Sequence, residues 1–150
     1  MEYYAKMALK QYSTPYTILR LCNCIGIGEE NSKKGNIAFG SKHVIPDLIQ
    51  KIKASNIIEI IGSGNQERMF LHGSDIAEAI SLVVSNLGIT ENKTYNLGTK
   101  EITKILDIAK IIWKQLKPRS EFKYKASENL ETDITISSAN SDLIRNELGF

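Results

Sequence analysis

The sequence predicts an α/β protein built around a parallel sheet, and two observations carry that prediction. Strand-like apolar runs alternate along the 150 residues with segments whose apolar side chains recur at helical spacing. One run, residues 16–21 (Tyr-Thr-Ile-Leu-Arg-Leu), is almost continuously β-branched or apolar. Such runs are typical of strands that are buried on both faces of a parallel sheet.

The first third of the chain contains three predicted elements and one long loop. Residues 2–12 favour a helix, and Pro15 ends it because proline cannot continue a helix. The strand at 16–21 follows. Residues 23–40 contain four glycines and predict a loop of a length that usually carries function. Residues 44–54 predict an amphipathic helix whose apolar residues are Val44, Ile45, Leu48, Ile49 and Ile52.

The middle of the chain continues the alternation. Residues 57–61 predict a short strand, and the Gly-Ser-Gly-Asn sequence at 62–65 predicts a turn, because Gly and Asn tolerate positive φ. Ser74 is a good N-cap for a helix over residues 75–86. The expected buried face of that helix consists of Ile76, Ala79, Ile80 and Val83.

The last third of the chain predicts one more strand and two helices. Residues 93–98 form the strand, and Thr103 is expected to cap a helix that continues to Leu116. The apolar side of this helix, which includes Trp113, is expected to lie in the core. A short final helix starts at Asn140 or Ser141.

Composition excludes several classes of function. The net charge is +2, the sequence pI is about 8.5, and the basic residues are dispersed, which argues against a nucleic-acid-binding patch. No signal peptide or long apolar run indicates secretion or a membrane span. Cys22 and Cys24 are separated by one residue, so we expect free, buried thiols in a reducing cytoplasm. No group of His or Cys residues has the spacing of a metal site.

Three segments, in this order and spacing, carry a family resemblance. They are residues 14–28, with Arg20, Asn23, Gly26 and Gly28; residues 58–77, with Gly-Ser-Gly-Asn-Gln-Glu-Arg ahead of a helix start; and residues 95–98, Tyr-Asn-Leu-Gly. Together they resemble the extended short-chain dehydrogenase/reductases, the NAD-dependent epimerases and dehydratases of nucleotide-sugars. The resemblance covers roughly residues 10–150.

The resemblance implies a fold and a division of the chain. The fold is the C-terminal part of a Rossmann-like extended short-chain dehydrogenase/reductase: the last sheet strands and a small α/β substrate-binding domain, incomplete at both ends. The chain is expected to be one truncated unit. Residues 1–28 end the Rossmann core, residues 29–92 are mainly the substrate-binding subdomain, residues 93–117 return to the Rossmann core, and residues 118–150 form a C-terminal substrate-domain segment.

The substrate implied is a UDP- or dTDP-sugar, and Arg68 is the first candidate for its diphosphate. A guanidinium offers a planar fork of donors that matches phosphate oxygens. From the residues alone, a surface or intramolecular ion pair of Arg68, with Glu67 or Asp75, is favoured; the resemblance favours phosphate contact. Asp75 itself is expected to be a first-turn acid favoured by the helix dipole, and His72 to make a structural hydrogen bond.

Five further positions are assigned more weakly. Asn23 follows a strand at the carboxyl end, where ligands bind in parallel sheets, and either donates to the diphosphate or stabilises its own loop. His43, near a helix start, reaches the phosphates or is exposed to solvent. Asn96 lines the site or turns the chain. Leu21 and Cys22 are implied to border the cofactor.

The motifs for the cofactor and for catalysis are absent from the 150 residues. No Gly-x-x-Gly-x-x-Gly turn is present, and the Gly-x-Gly sequences at 26–28 and 62–64 read as ordinary turns. No tyrosine has a lysine four residues on, so the Tyr-x-x-x-Lys general base is missing. We expect both catalytic residues upstream of Met1. The substrate arginine of the family's Gly-Asp-x-Arg-Arg segment is replaced by residues 133–136, Asp-Ile-Thr-Ile.

These observations predict the substrate-binding portion of an NAD(P)-dependent nucleotide-sugar epimerase or dehydratase of carbohydrate biosynthesis, inactive alone. NAD or NADP is expected for the intact family member and not for this chain by itself. The alternative is a stand-alone nucleotide-sugar-binding module, or a partner that completes a separately encoded N-terminal half or forms a homodimer.

Overall fold

The computed structural model describes residues 1–26, 43–128 and 134–150. Within these ranges the helices are α1 (Glu2–Gln11), α2 (Val44–Ala54), α3 (Gly73–Ser85), α4 (Leu87–Thr90), α5 (Ile105–Leu116) and α6 (Asp142–Leu148). The strands are β1 (Thr17–Leu21), β2 (Asn23–Ile25), β3 (Ile58–Ile61), β4 (Glu67–Arg68), β5 (Phe70–His72), β6 (Lys93–Leu97), β7 (Thr103–Lys104), β8 (Tyr124–Ser127) and β9 (Ile136–Ser137).

Most predicted elements are confirmed to within two residues. The three helices predicted from apolar spacing are α2, α3 and α5, and the predicted strands at 16–21, 57–61 and 93–98 are β1, β3 and β6. Gly28 of the first motif, the glycines at 35 and 40 of the predicted loop, and Asp133 lie outside the described residues.

The predicted loop after β1 is partly wrong, because its first residues form a strand. Residues 23–25 are β2, which pairs in parallel with β5 in the register Asn23↔Phe70 to Ile25↔His72. The segment is short and contains no alternating pattern, so only its pairing with a distant strand defines it. This pairing brings the first motif against the second.

Two predicted helix caps are wrong. His72, and not Ser74, is the N-cap of α3: its ring nitrogen Nδ1 accepts a hydrogen bond from the Ser74 backbone amide at 3.2 Å. The expected structural role of His72 is therefore present. Thr103 lies in β7, and the N-cap of α5 is Lys104. α3 therefore begins two residues before the predicted helix, whereas α5 begins only after the two residues of β7.

One predicted core position is also wrong. Ile80 is 47% exposed, whereas Ile76, Ala79 and Val83 are buried. Fewer α3 residues are buried than the number of apolar residues in the helix suggests, because only those at i, i+3 and i+7 face the sheet.

The strands form small sheets that are mostly parallel, which confirms the predicted α/β class. β1 pairs with β6 from Thr17↔Lys93 to Leu21↔Leu97, and β3 pairs with β8; both pairs are parallel. β4 is the middle strand of the order β7–β4–β9. The expectation that β1 is buried on both faces is wrong: no β1 residue is buried, and Leu21 is 50% exposed. Among the described strands, β1 has only β6 beside it.

The apolar core consists of two clusters. The first joins α2, β3 and α5 around Ile52, Ile58 and Trp113. The second joins β5, α3, β6 and α6 around Tyr95 and Ile144. β6 and α5, which the sequence analysis places in one segment, thus pack in different clusters.

The C-terminal helix α6 is held against β6 by polar contacts next to the buried Tyr95 side chain. Tyr95 is fully buried, and its hydroxyl donates to Glu147 Oε2 at 2.5 Å. Lys93 Nζ lies 2.6 Å from Glu147 Oε1. Gly149 closes α6 in the left-handed conformation, with φ +73°, as a helix C-cap requires. Among the described residues, no helix has the length and apolar character needed to cross a bilayer.

Candidate functional site

A cavity of about 640 Å³ lies where the first two motifs meet. Its walls come from β2, the N-terminal turns of α2, the end of β3, and β4. Its described lining residues are Asn23, Cys24, Ile25, His43, Val44, Ile45, Asp47, Leu48, Lys51, Glu59, Ile60, Ile61, Gln66, Arg68, Phe70 and Ile105. Three of the four predicted substrate residues, Asn23, His43 and Arg68, are therefore brought to one cavity.

Arg68 is held by strands on both sides. Its register partners are Thr103 on β7 and Ser137 on β9. The half-buried guanidinium also bonds to its own chain, because Nη1 donates to the Glu67 carbonyl at 2.9 Å. This hydrogen bond is made to the Glu67 backbone; it is not the ion pair with the Glu67 carboxylate that the sequence also suggested. Arg68 is oriented by its strand and presented to the cavity.

Asn23 connects the two motifs directly. Its Nδ2 donates to the Met69 carbonyl at 2.8 Å, next to Arg68. This contact resembles the stabilising role that the sequence analysis left open, although it is made to a distant strand and not to the residue's own loop. Because Asn23 also lines the cavity, one side chain fixes the β4–β5 corner and borders the site.

The α2 N-terminus forms a third wall. His43 is its N-cap in extended conformation, and Val44 and Ile45 begin the helix at the cavity. The first backbone amides of a helix lack intrahelical acceptors and carry the positive end of the dipole, so this wall favours an anion. One turn later Asp47 and Lys51 form an ion pair at 2.8 Å, which offsets both charges.

The cavity is lined by both charged and apolar side chains. Glu59 and Arg68 carry opposite charges, and Ile45, Ile61 and Phe70 supply apolar walls. Sequence reasoning did not assign Glu59, Ile61 or Phe70. Burial alternates along β3: Ile58 and Ile60 are buried, and Glu59 and Ile61 are exposed. This alternation in the sequence could have shown that Glu59 and Ile61 share the exposed face of the strand.

The other assigned residues lie at the end of the β1–β6 sheet. Asn96 pairs with Arg20, and its Nδ2 donates to the Asn140 carbonyl at 3.2 Å. Asn96 is not among the residues that line the cavity. Leu21 is half-exposed at the end of β1, and the Cys22 amide donates to the Leu97 carbonyl at 2.9 Å.

The Cys22 thiol is held mainly in its neutral form. Burial raises the pKa of the Cys22 thiol above its ordinary value, and the backbone amides around it oppose that effect only in part. Cys22 therefore resembles a packed residue and not a nucleophile. Cys24 is exposed, so the expectation that both thiols are buried is wrong. Among the described residues, no group of three His, Cys, Asp or Glu side chains could hold a metal ion.

The Gly-x-Gly sequence at 62–64 forms a tight turn. Gly62 and Gly64 form a turn with φ +67° and +74°. A Cβ on Gly64 would lie 3.1 Å from Leu106 Cβ and 3.3 Å from Ile60 Cγ2. At Gly64 this turn is therefore packed against α5 and β3.

The chain is similar to one family of known proteins. The model of the NAD dependent epimerase/dehydratase family matches residues 1–98. A putative UDP-glucose 4-epimerase of Methanocaldococcus jannaschii is 32% identical over 123 residues, which are 82% of this chain and 37% of the relative. The chain thus spans little more than a third of that curated relative.

Solved structures confirm the predicted fold class. The UDP-glucose 4-epimerase of Thermotoga maritima, solved with UDP-glucose, superposes with a TM-score of 0.76 at 21% identity, over 99% of this chain and 44% of that chain. The dTDP-glucose 4,6-dehydratase of Bacillus anthracis, solved with NAD, gives 0.76 at 18% identity, over 99% and 43%. At these identities the likeness concerns the fold.

Proposed function

The chain belongs to the NAD-dependent epimerase/dehydratase family, and on that premise we propose that its cavity binds the diphosphate of a UDP- or dTDP-sugar. The observation that carries the proposal is the convergence of Arg68, Asn23 and the α2 N-terminus on one cavity. A guanidinium and a helix N-terminus are both suited to phosphate oxygens.

Size and polarity support the same ligand. The cavity of about 640 Å³ falls within the ~300–1,000 Å³ usual for small-molecule sites. The apolar walls formed by Ile45, Ile61 and Phe70 suit the planar face of a base or the carbon skeleton of a sugar.

For catalysis we propose that these 150 residues bind substrate and do not turn it over alone. The general base would have to be supplied by a Tyr-x-x-x-Lys pair, which the sequence does not contain. NAD or NADP would be held by another part of the enzyme. Leu21 and Cys22 would only border it, at the sheet end next to Asn23. Such an enzyme fits a reducing, cytoplasmic setting, which the two free thiols favour.

A titration tests the binding proposal. UDP and dTDP are titrated into the chain by calorimetry, and we expect saturable binding of at least one of them. Arg68→Ala is expected to weaken binding by about 10–100-fold, because a charge-assisted hydrogen bond contributes ~1.5–3 kcal/mol. The matched control is Arg119→Ala, which removes an exposed arginine outside the cavity.

Two results would contradict the proposal. One is the absence of heat with both nucleotides at millimolar concentration; the other is an equal loss of affinity in the two arginine variants. A separate assay with UDP-glucose and NAD tests the second half of the proposal. Formation of the C4 epimer by this chain alone would show that it carries a complete catalytic apparatus.

A further inference from the structure

One carboxylate in the cavity has no partner in the described part of the chain. The acidic side chains among the described lining residues are Asp47 and Glu59. Asp47 is paired with Lys51 at 2.8 Å. The Glu59 carboxylate forms no hydrogen bond or ion pair within residues 1–26, 43–128 and 134–150, and this includes its register partner Lys125. Because an ionised carboxylate only accepts hydrogen bonds, Glu59 offers a ligand two acceptor oxygens.

Glu59 reaches the cavity from the exposed face of β3. Side chains alternate along a strand, so Glu59 and Ile61 project from one face, opposite the buried one. Both line the cavity, and residues two apart on a strand are separated by about 6.6 Å. This spacing suits a ribose beside its base. The β3 wall therefore presents an apolar side chain for a flat ring and, next to it, an acceptor for hydroxyl groups.

The charge of Glu59 decides which part of a nucleotide-sugar it can contact. A carboxylate repels the diphosphate, which belongs to Arg68, Asn23 and the α2 N-terminus in the proposed function. It also repels the imide edge of uracil or thymine, where one N–H lies between two carbonyl oxygens. Pairs of adjacent hydroxyls match it, because two O–H donors can bond to the two oxygens of one carboxylate.

Both the ribose and the hexose carry such hydroxyl pairs, and the position of the cofactor separates them. In an NAD-dependent enzyme the reacting sugar has to face the nicotinamide. The proposed function puts the cofactor at Leu21 and Cys22, next to Asn23 on β2. β2 pairs with β5 and β3 pairs with β8, so the two strands form separate walls. With the hexose at the β2 wall, the nucleoside falls at the β3 wall beside Glu59.

We infer that Glu59 accepts hydrogen bonds from the 2′- and 3′-hydroxyls of the nucleoside ribose, and thereby selects UDP-sugars over dTDP-sugars. The inference rests on the proposed function, since it requires that the cavity holds the diphosphate of such a nucleotide. It narrows the two substrate classes to one. A site that hydrogen-bonds a substrate hydroxyl rejects the analogue lacking it, because the acceptor that the ligand desolvates is then left unpaired.

A comparison of UDP with dUDP tests the inference, because the two differ only in the 2′-hydroxyl. Both are titrated by calorimetry into the whole chain. The wild type should bind UDP about 10–100-fold more tightly than dUDP, as expected for one charge-assisted hydrogen bond. Glu59→Ala should bring the ratio of the two dissociation constants close to one. Its affinity for dUDP should equal or exceed that of the wild type, because a charge that repels the diphosphate is removed.

Glu78→Ala is the matched control. Glu78 is an exposed carboxylate on α3 and is not among the described residues that line the cavity. Its substitution removes the same charge and should leave the preference for UDP unchanged. Retained dUDP binding in Glu59→Ala shows that the variant is folded and that its diphosphate site is intact, so a lost preference is assigned to the ribose contact.

Three results would overturn the inference while the proposed diphosphate site stands. The first is equal affinity of the wild type for UDP and dUDP. The second is a preference for UDP that survives in Glu59→Ala. The third is tighter binding of GDP than of UDP that Glu59→Ala abolishes, because guanine offers two adjacent N–H donors and the carboxylate would then bind a base edge. Binding of neither UDP nor dUDP would refute the proposed function and this inference with it.

Discussion

At the scale of single residues, Tyr95 and Glu147 show how one buried contact titrates. Burial, and then the nearby Glu147 carboxylate, raise the pKa of Tyr95 to about 12. The Lys93 ammonium, and then the Tyr95 hydroxyl, lower the pKa of Glu147. The folded state thus favours a neutral phenol and an ionised carboxylate. The Tyr95 contribution is complete below pH 10 and is lost between pH 10 and about 12, while that of Glu147 is lost as pH falls below its ordinary pKa.

Tyr95→Phe is therefore expected to lower the free energy of unfolding by about 1 kcal/mol at pH 7. Between pH 10 and 12 the variant should lose stability less steeply than the wild type, because the shifted phenol is gone. Urea unfolding at pH 7, 10 and 11.5 measures both effects. Tyr12→Phe, at a tyrosine that is 77% exposed, is the control. Equal pH profiles in all three proteins would contradict the assignment.

Candidate site residues were predictable from the sequence only with the help of the family resemblance. The resemblance made Arg68 a candidate for phosphate contact and left His43 open between phosphate contact and solvent exposure, and both residues line the cavity. Asn23 and Asn96 could not be separated, since each follows a parallel strand. Only the register shows that Asn23 faces Met69 beside the cavity, whereas Asn96 binds the C-terminal segment. Their roles toward a ligand stay predictions.

At the scale of elements, the sequence predicts those that have their own periodicity. Helices α2 and α5 repeat apolar residues every three or four positions over three turns, so their bounds follow from the pattern. The strands β4, β7 and β9 have two residues each, and two residues carry no period. They exist because distant segments pair, and that information lies in the tertiary structure.

The turn between β3 and β4 is the element most sensitive to substitution. Gly64→Ala is expected to lower the free energy of unfolding by about 1–3 kcal/mol, through strain at φ +74° and contact with Leu106. It should also weaken UDP binding, because Ile60, whose Cγ2 lies 3.3 Å from that Cβ, also lines the cavity. Gly88→Ala is the control, since a Cβ there meets nothing within 4 Å. Thermal unfolding and calorimetry measure the two effects, and equal stability of both variants would refute the expectation.

At the scale of the whole molecule, two core clusters share one short chain. Trp113, the single tryptophan of the sequence, lies in the first cluster with Phe122 at 5.5 Å between ring centroids. The cavity borders the same cluster through Ile60 and Ile105. The second cluster carries the β1–β6 sheet, in which β1 has only β6 beside it among the described strands. Tryptophan fluorescence therefore reports the cluster that borders the cavity, and circular dichroism reports both.

We expect the two signals to separate during urea unfolding. Loss of ellipticity should begin at lower urea than the fluorescence change, because the second cluster leaves β1 and α1 uncovered. UDP at 100 times its Kd should raise the free energy of unfolding measured by fluorescence by about 2.7 kcal/mol. It should raise the free energy of the earlier transition, measured by ellipticity, by less. Coincident transitions that UDP shifts equally would show a single cooperative unit.

The position of Arg68 in the middle of β7–β4–β9 has a consequence for synthesis. Its strand pairs with Thr103 on one side and with Ser137 on the other. These partners lie 35 and 69 positions after Arg68, so both must be synthesised before the arginine is held in place. Closing such long loops delays contact formation. While the ribosome is still adding the C-terminal residues, the chain has most of its helices, but the strand that carries Arg68 is not yet paired on both sides. A ligand of the proposed kind would therefore assist only the last stage of folding.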